Sequence, residues 1–194
     1  MQEFTIFPNK TIEILGMIFN LLFLFLMIHK KKSAWIYGII GSTVSIYLFL
    51  LPEVKLYSEV ILYSYYIIIG IYAWVSWSKE EKETNKIVII EKNISYHLIL
   101  LLFGSFLGFL LGFYFHQYTD ANNPFLDASS TIFSFIATYL QAKKVLSSWL
   151  YWIFINLFTI YLYGIRGLDI YSMQMVIYAI FSFWGFYNWL KVYK

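Results

Sequence analysis

Cysteine is absent from this 194-residue chain, which excludes a disulfide framework, thiol catalysis and a thiolate metal site. Charge is scarce: Asp, Glu, Lys and Arg make up 13% of the residues, where a soluble domain carries about a quarter. Histidines number three, and His29, His97 and His116 fall near three different helix ends. They lack the HxxxH or HExxH spacing that would set two imidazoles on one helical face. No metal site, hydrolytic centre or cofactor is therefore expected, and the chain does not read as an enzyme. The N-terminal MQEFTIFPNK lacks a basic segment followed by a short apolar core, so no cleaved signal peptide is expected. What the chain has in abundance is apolar surface. It is 60% hydrophobic and 23% aromatic, with a mean hydropathy of +0.66, the composition of an integral membrane protein. The net charge of +3 then bears on topology and gives no reason to expect a nucleic-acid partner.

Apolar stretches long enough to span a bilayer run roughly over 11–28, 34–51, 57–77, 94–115, 124–142, 147–164 and 168–190. The expected fold is all-α, with seven transmembrane helices in one transporter-sized domain covering 1–194. HKKK at 29–32 closes the first stretch, and Pro52 with Glu53 breaks the second from the third. Residues 78–93 form a long charged connection, and GIRGLD at 164–169 reads as a tight turn. Lysine placement sets the orientation. With the N-terminus outside, Lys30, Lys31, Lys32, Lys79, Lys82, Lys86, Lys92, Lys143, Lys144, Lys191 and Lys194 face the cytoplasm. Lys10, Lys55 and Arg166 face outward, so the bias favours N-out and C-in.

Ser147 to Tyr163 reads SSWLYWIFINLFTIYLY and carries no charge. Trp149, Trp152, Asn156 and Thr159 share one helical face. The pattern has an echo 114 residues upstream, in SAWIYGIIGSTVSIYLF at Ser33 to Phe49. Ser33, Trp35, Tyr37, Ile39, Ile46, Tyr47 and Leu48 match Ser147, Trp149, Tyr151, Ile153, Ile160, Tyr161 and Leu162. A second block aligns Tyr66, Ile68, Trp77 and Lys79 with Tyr178, Ile180, Trp189 and Lys191. The expectation is a 3+1+3 arrangement of parallel repeats: repeat one at about 11–77, a linker helix at about 94–115 and repeat two at about 124–190.

The candidate site residues are uncharged. Asn20, Ser42, Ser45, Ser64, Ser134, Thr138, Asn156 and Thr159 reach the middle of the spans. Most Ser and Thr in such helices bond their own backbone or join helices. Asn156 has four hydrogen-bonding positions that one helix cannot satisfy, which favours a pocket or an interhelical bond. Gln141 lies lower, near the end of the fifth helix. An interfacial aromatic belt accounts for Trp35, Trp77, Trp149 and Trp189. Trp74, Trp152 and Trp184 lie deeper, where a stacking platform and plain packing are both open. Gly70, Ala73, Ser182 and Gly185 suit close helix approach. At the positions matching Trp152 and Asn156, the first repeat carries Gly38 and Ser42, whose small size leaves room for one off-centre ligand. Glu13, Glu59, His97 and Asp127 lie within reach of the interface. No charge sits at the midplane, which favours transport without ion coupling.

IEILG at 12–16, LYSE at 56–59, IYAW…W at 71–77, TIFSFIATYLQAKK at 131–144, WLYWIFIN at 149–156 and GFYNW at 185–189 resemble the PnuC-type vitamin transporters. Ala73 departs from that pattern, which has glycine there. The resemblance implies a seven-helix carrier related in architecture to the sugar-transporting SWEET proteins. It implies a homotrimer in a bacterial inner membrane and facilitated diffusion of nicotinamide riboside, trapped by cytoplasmic phosphorylation. It implies a substrate site at Trp152, Asn156, Thr138, Gln141, Trp74, Tyr178 and Trp184. A flat aromatic cation suits such a set, because aromatic faces attract it by about 0.5–2 kcal/mol. Thiamine and riboflavin carriers, a sugar carrier of the same architecture and a structural scaffold stay open as alternatives.

Overall fold

The computed structural model describes residues 10–51, 57–119, 123–165 and 169–193. Among them the chain forms seven helices: α1 (Lys10–Ile28), α2 (Ser33–Leu50), α3 (Tyr57–Thr84), α4 (Ile94–Tyr118), α5 (Pro124–Ala142), α6 (Ser148–Ile165) and α7 (Asp169–Tyr193). Three segments, Ser33–Leu50, Glu59–Thr84 and Ile94–Tyr118, are long and apolar enough to cross a membrane. Ile14–Ile28 and Ser148–Leu162 are shorter apolar helices. The expected break at Pro52 and Glu53 and the turn carrying Arg166 lie outside the described residues.

Helix ends follow local chemistry. Asn93 caps α4, its Oδ1 accepting from the Tyr96 N–H at 2.9 Å. Pro124 opens α5, where its missing N–H costs nothing. α3 continues seven residues past the expected end at 77, because SKEEKET is built from good helix formers. Lys32 reaches Glu81 at 2.7 Å along this extension. Asn85, at φ 57, stops it.

Two compact units divide the chain. Residues 1–87 hold α1–α3, with α2 packed on both neighbours; residues 88–194 hold α4–α7, packed in chain order. Each unit contains the same helix-ending turn. After α1, Lys31 N–H donates to Leu26 at 3.0 Å and Lys30 adopts φ 55. After α5, Val145 N–H donates to Leu140 at 2.9 Å and Lys144 adopts φ 62. Both are left-handed helix stops, and both involve residues 114 apart.

Each unit also has the same aromatic lock. Trp35 meets Trp77 edge to face at 5.7 Å in the first unit. Trp149 meets Trp189 edge to face at 5.5 Å in the second. Trp35 is 2% exposed and the other three are fully buried. This corrects the interfacial-belt expectation, since an interfacial ring keeps its polar edge in contact with water or headgroups. Here the Nε1 atoms of Trp35 and Trp149 are buried without a partner. The expected room at Gly38 is also filled: a Cβ there would sit 2.8 Å from the Phe23 ring. In the second unit the equivalent pair has exchanged sizes, with Ala137 on α5 and Trp152 on α6.

At Gly185 the Trp149 ring lies so close that an added Cβ would come within 2.6 Å of it. Gly185→Ala must therefore push the indole out of its contact with Trp189. It should lower stability by about 1–3 kcal/mol. Thermal unfolding in detergent measures this, and an unchanged midpoint would refute the close packing.

Candidate functional site

α6 places Trp152 and Asn156 one turn apart, about 6 Å along the axis. Trp152 is half-buried and its Nε1–H donates to Gln141 Oε1 on α5 at 3.1 Å. That bond orients the amide. The indole needs an acceptor, so the oxygen faces it and Gln141 Nε2 points elsewhere, buried and without a partner. Asn156 is buried, and its Nδ2 donates to Ser182 Oγ on α7 at 3.1 Å. Ser182 passes its own hydrogen to the Tyr178 carbonyl at 2.8 Å. Gln174 Nε2 donates to the Tyr178 hydroxyl at 3.0 Å. These bonds tie α5, α6 and α7 together with amides, hydroxyls and an indole. None of the groups that form them is charged.

A second polar cluster sits where α6 begins. The Glu91 carboxylate accepts four hydrogen bonds. Oε2 takes the Ser147 N–H at 2.8 Å and the Ser147 hydroxyl at 2.6 Å. Oε1 takes the Lys92 N–H at 2.7 Å and His97 Nε2 at 3.0 Å. With Nε2 donating, His97 Nδ1 accepts from the Tyr151 hydroxyl at 3.2 Å. The carboxylate also lies at the positive end of α6, where a negative charge is favoured. Burial pushes the Glu91 pKa up, but the hydrogen bonds from Ser147, Lys92 and His97 outweigh it and hold the value below that of an ordinary glutamate. Among the described residues no group of three or more metal-ligating side chains occurs.

Residues 10–191 match the family described as nicotinamide mononucleotide transporter. The chain belongs to this family. It is 22% identical over 205 residues to the nicotinamide riboside transporter PnuC of Escherichia coli strain K12, covering 93% of this chain and 85% of that protein. It is 25% identical over 177 residues to the nicotinamide riboside transporter PnuC of Neisseria mucosa, covering 84% of this chain and 66% of the relative. Among solved structures, the crystal structure of the vitamin B3 transporter PnuC shares the fold. The TM-score is 0.76 at 21% identity, over 96% of this chain and 83% of that one. The chain is thus a multi-pass membrane transporter of a bacterial family, as the sequence motifs implied, and its relatives are transporters rather than enzymes.

Not every residue expected at the transporter's substrate site is brought together. Gln141 and Trp152 pair directly. Asn156 and Tyr178 meet through Ser182. Thr138 is buried but donates to the Ser134 carbonyl of its own helix at 2.7 Å, as the bland alternative for such threonines holds. Trp184 is 41% exposed, its ring 5.8 Å from that of Phe181. Trp74 is 40% exposed and belongs to the first unit. Ser182 reads from sequence as a small residue for close packing, yet it is the partner of Asn156. The Glu91 cluster had no sequence signal, because five residues scattered over 91–151 share no spacing rule.

A depressed carboxylate pKa makes a signed statement about stability. The Glu91 contribution is present above the unfolded glutamate value, about 4.3, and is lost as pH falls below it through the lower folded value. Thermal stability of the wild type should therefore fall more steeply between pH 5 and pH 3 than that of Glu91→Gln. Parallel curves would show that Glu91 is not the group responsible.

Proposed function

We propose that the protein carries nicotinamide riboside across the membrane by facilitated diffusion, with phosphorylation in the cytoplasm trapping it. The observation that carries this is the uncharged polar set on α5–α7. Gln141 Nε2 is a buried donor without a partner. Leaving such a donor unmade costs about 1–3 kcal/mol, which a ligand acceptor would recover. Asn156 and Tyr178 add amide and hydroxyl groups within the same three helices. The half-buried Trp152 face can stack on a flat cation. Thr138 and Trp184 complete the proposed set within the second unit, the exposed Trp184 serving as a further stacking surface, and Trp74 offers an exposed indole of the first unit. The relatives named as nicotinamide riboside transporters support the substrate choice.

The family description names the mononucleotide, but this set favours the dephosphorylated compound. Phosphate recognition uses Arg, Lys or a helix N-terminus aimed at the anion. The bonded groups here include none of these. A single charge near the bilayer centre costs about 2.5–3.5 kcal/mol, roughly a hundredfold in affinity. The same difference would keep a phosphorylated product inside.

Reconstituted protein should equilibrate labelled nicotinamide riboside and should not concentrate it under a proton or sodium gradient. Unlabelled riboside should compete, whereas the mononucleotide, thiamine, riboflavin and glucose should not. Asn156→Leu should abolish uptake by the protein that folds, measured per folded molecule. Accumulation above the external level would overturn uncoupled transport, and competition by another compound would name a different substrate.

The proposal extends to assembly and topology. The transporter forms a homotrimer in a bacterial inner membrane, which light scattering of the detergent-solubilised protein measures. It is built from parallel repeats at about 11–77 and 124–190 with a linker helix at about 94–115 between them in the sequence, which the matching turns and tryptophan locks support. Its N-terminus lies outside and its C-terminus inside. Since the protein has no cysteine, a cysteine placed at Asn122 should react with an impermeant reagent from outside and one at Thr84 should not. The reverse pattern would overturn the orientation.

A further inference from the structure

We propose that Glu91 is a positioning residue for substrate recognition, holding the start of α6 so that Trp152 stands against Gln141. This rests on the assignment of Trp152 and Gln141 to the substrate site. The two side chains belong to different helices joined by residues 143–147. That connection makes turn bonds to the end of α5, Lys144 N–H to the Gln141 carbonyl at 3.0 Å and Val145 N–H to the Leu140 carbonyl at 2.9 Å, but these leave the start of α6 to be fixed from elsewhere. Lys144 sits in the left-handed region at φ 62, a conformation that favours glycine.

Support comes from the segment before α4. Ile90 N–H donates to the Lys144 carbonyl at 3.0 Å, and Leu146 N–H donates to the Ile90 carbonyl at 2.8 Å. Glu91, the next residue, then grips both the backbone and the side chain of Ser147. Its other oxygen holds His97 on the first turn of α4, and His97 holds Tyr151, the residue before Trp152. The clamp thus reaches α6 at 151 and the preceding turn at 144, 146 and 147.

A carboxylate is needed because all four of its partners donate. Glutamine would present an amide N–H to either Ser147 or His97, and one side of the clamp would open. The effect would pass through Trp152 without Glu91 touching a ligand.

The test is a double-mutant cycle on the purified full chain. Calorimetry of nicotinamide riboside binding should show Glu91→Gln about tenfold weaker than wild type. Added to Trp152→Phe, it should weaken binding by no more than about twofold further. Independent losses that multiply would overturn the proposal, as would unchanged affinity in Glu91→Gln. A ligand-free readout separates this from the substrate assignment. The indole N–H resonance of Trp152, identified by its absence in Trp152→Phe, should move in Glu91→Gln. A fixed resonance would overturn positioning even if binding changed. If the wild type did not bind nicotinamide riboside, the functional proposal would fall while this resonance still decided the role of Glu91. Should Glu91→Gln fail to fold, Ser147→Ala, which removes one donor, is read the same way.

Discussion

A polar side chain in an apolar helix must find its partner inside the protein, because no water is present to supply one. That constraint organises the second unit. Asn156 reaches Ser182, Ser182 reaches the Tyr178 carbonyl, and Trp152 reaches Gln141. Each bond crosses between helices or redirects a hydroxyl, so α5, α6 and α7 are held together by neutral polar groups. The exceptions are informative. Gln141 Nε2 remains buried and unpaired, as do the indole N–H groups of Trp35 and Trp149.

The two units use one plan with opposite fillings. In each, a lysine in the left-handed region ends a helix, and a tryptophan from the next helix packs edge to face on a tryptophan near the end of the unit. Between these fixed points the side chains trade places. Phe23 fills the space beside Gly38 in the first unit. In the second, Ala137 stands at the position matching Phe23, and Trp152 at that matching Gly38. The asparagines trade as well: Asn20 lies on α1, Asn156 on α6. A common frame with exchanged bulk gives the second unit an indole and an amide on the same face of α6.

Membrane carriers of organic cations must attract the ligand without fixing it. On the proposed reading, aromatic faces and neutral amides do this with individually weak contacts. They also leave a phosphorylated product without a counter-charge. The charged groups are set at the margin. Glu91 and His97 act on the geometry of α6 from its first turn rather than on the substrate.

Composition and periodicity by themselves determined that the chain is helical and that it lies in a membrane, and they set the expectation of a repeat. Those properties depend on local apolar runs and on residues at fixed spacing, such as Trp35 and Trp149. Asn156 was legible as a special residue because an amide in an uncharged helix has few ways to be satisfied. Which group satisfies it was not legible, since Ser182 is 26 residues away and resembles any small packing residue. The tertiary structure also decided that Trp77, Trp149 and Trp189 are buried locks while Trp74 and Trp184 are exposed. Depth along a span can be counted from sequence, but the facing partner cannot. Burial depends on which neighbouring helix turns a small residue such as Gly185 toward the ring. The Glu91 clamp is the extreme case, because its five residues meet only after α4, the α5–α6 turn and α6 have packed.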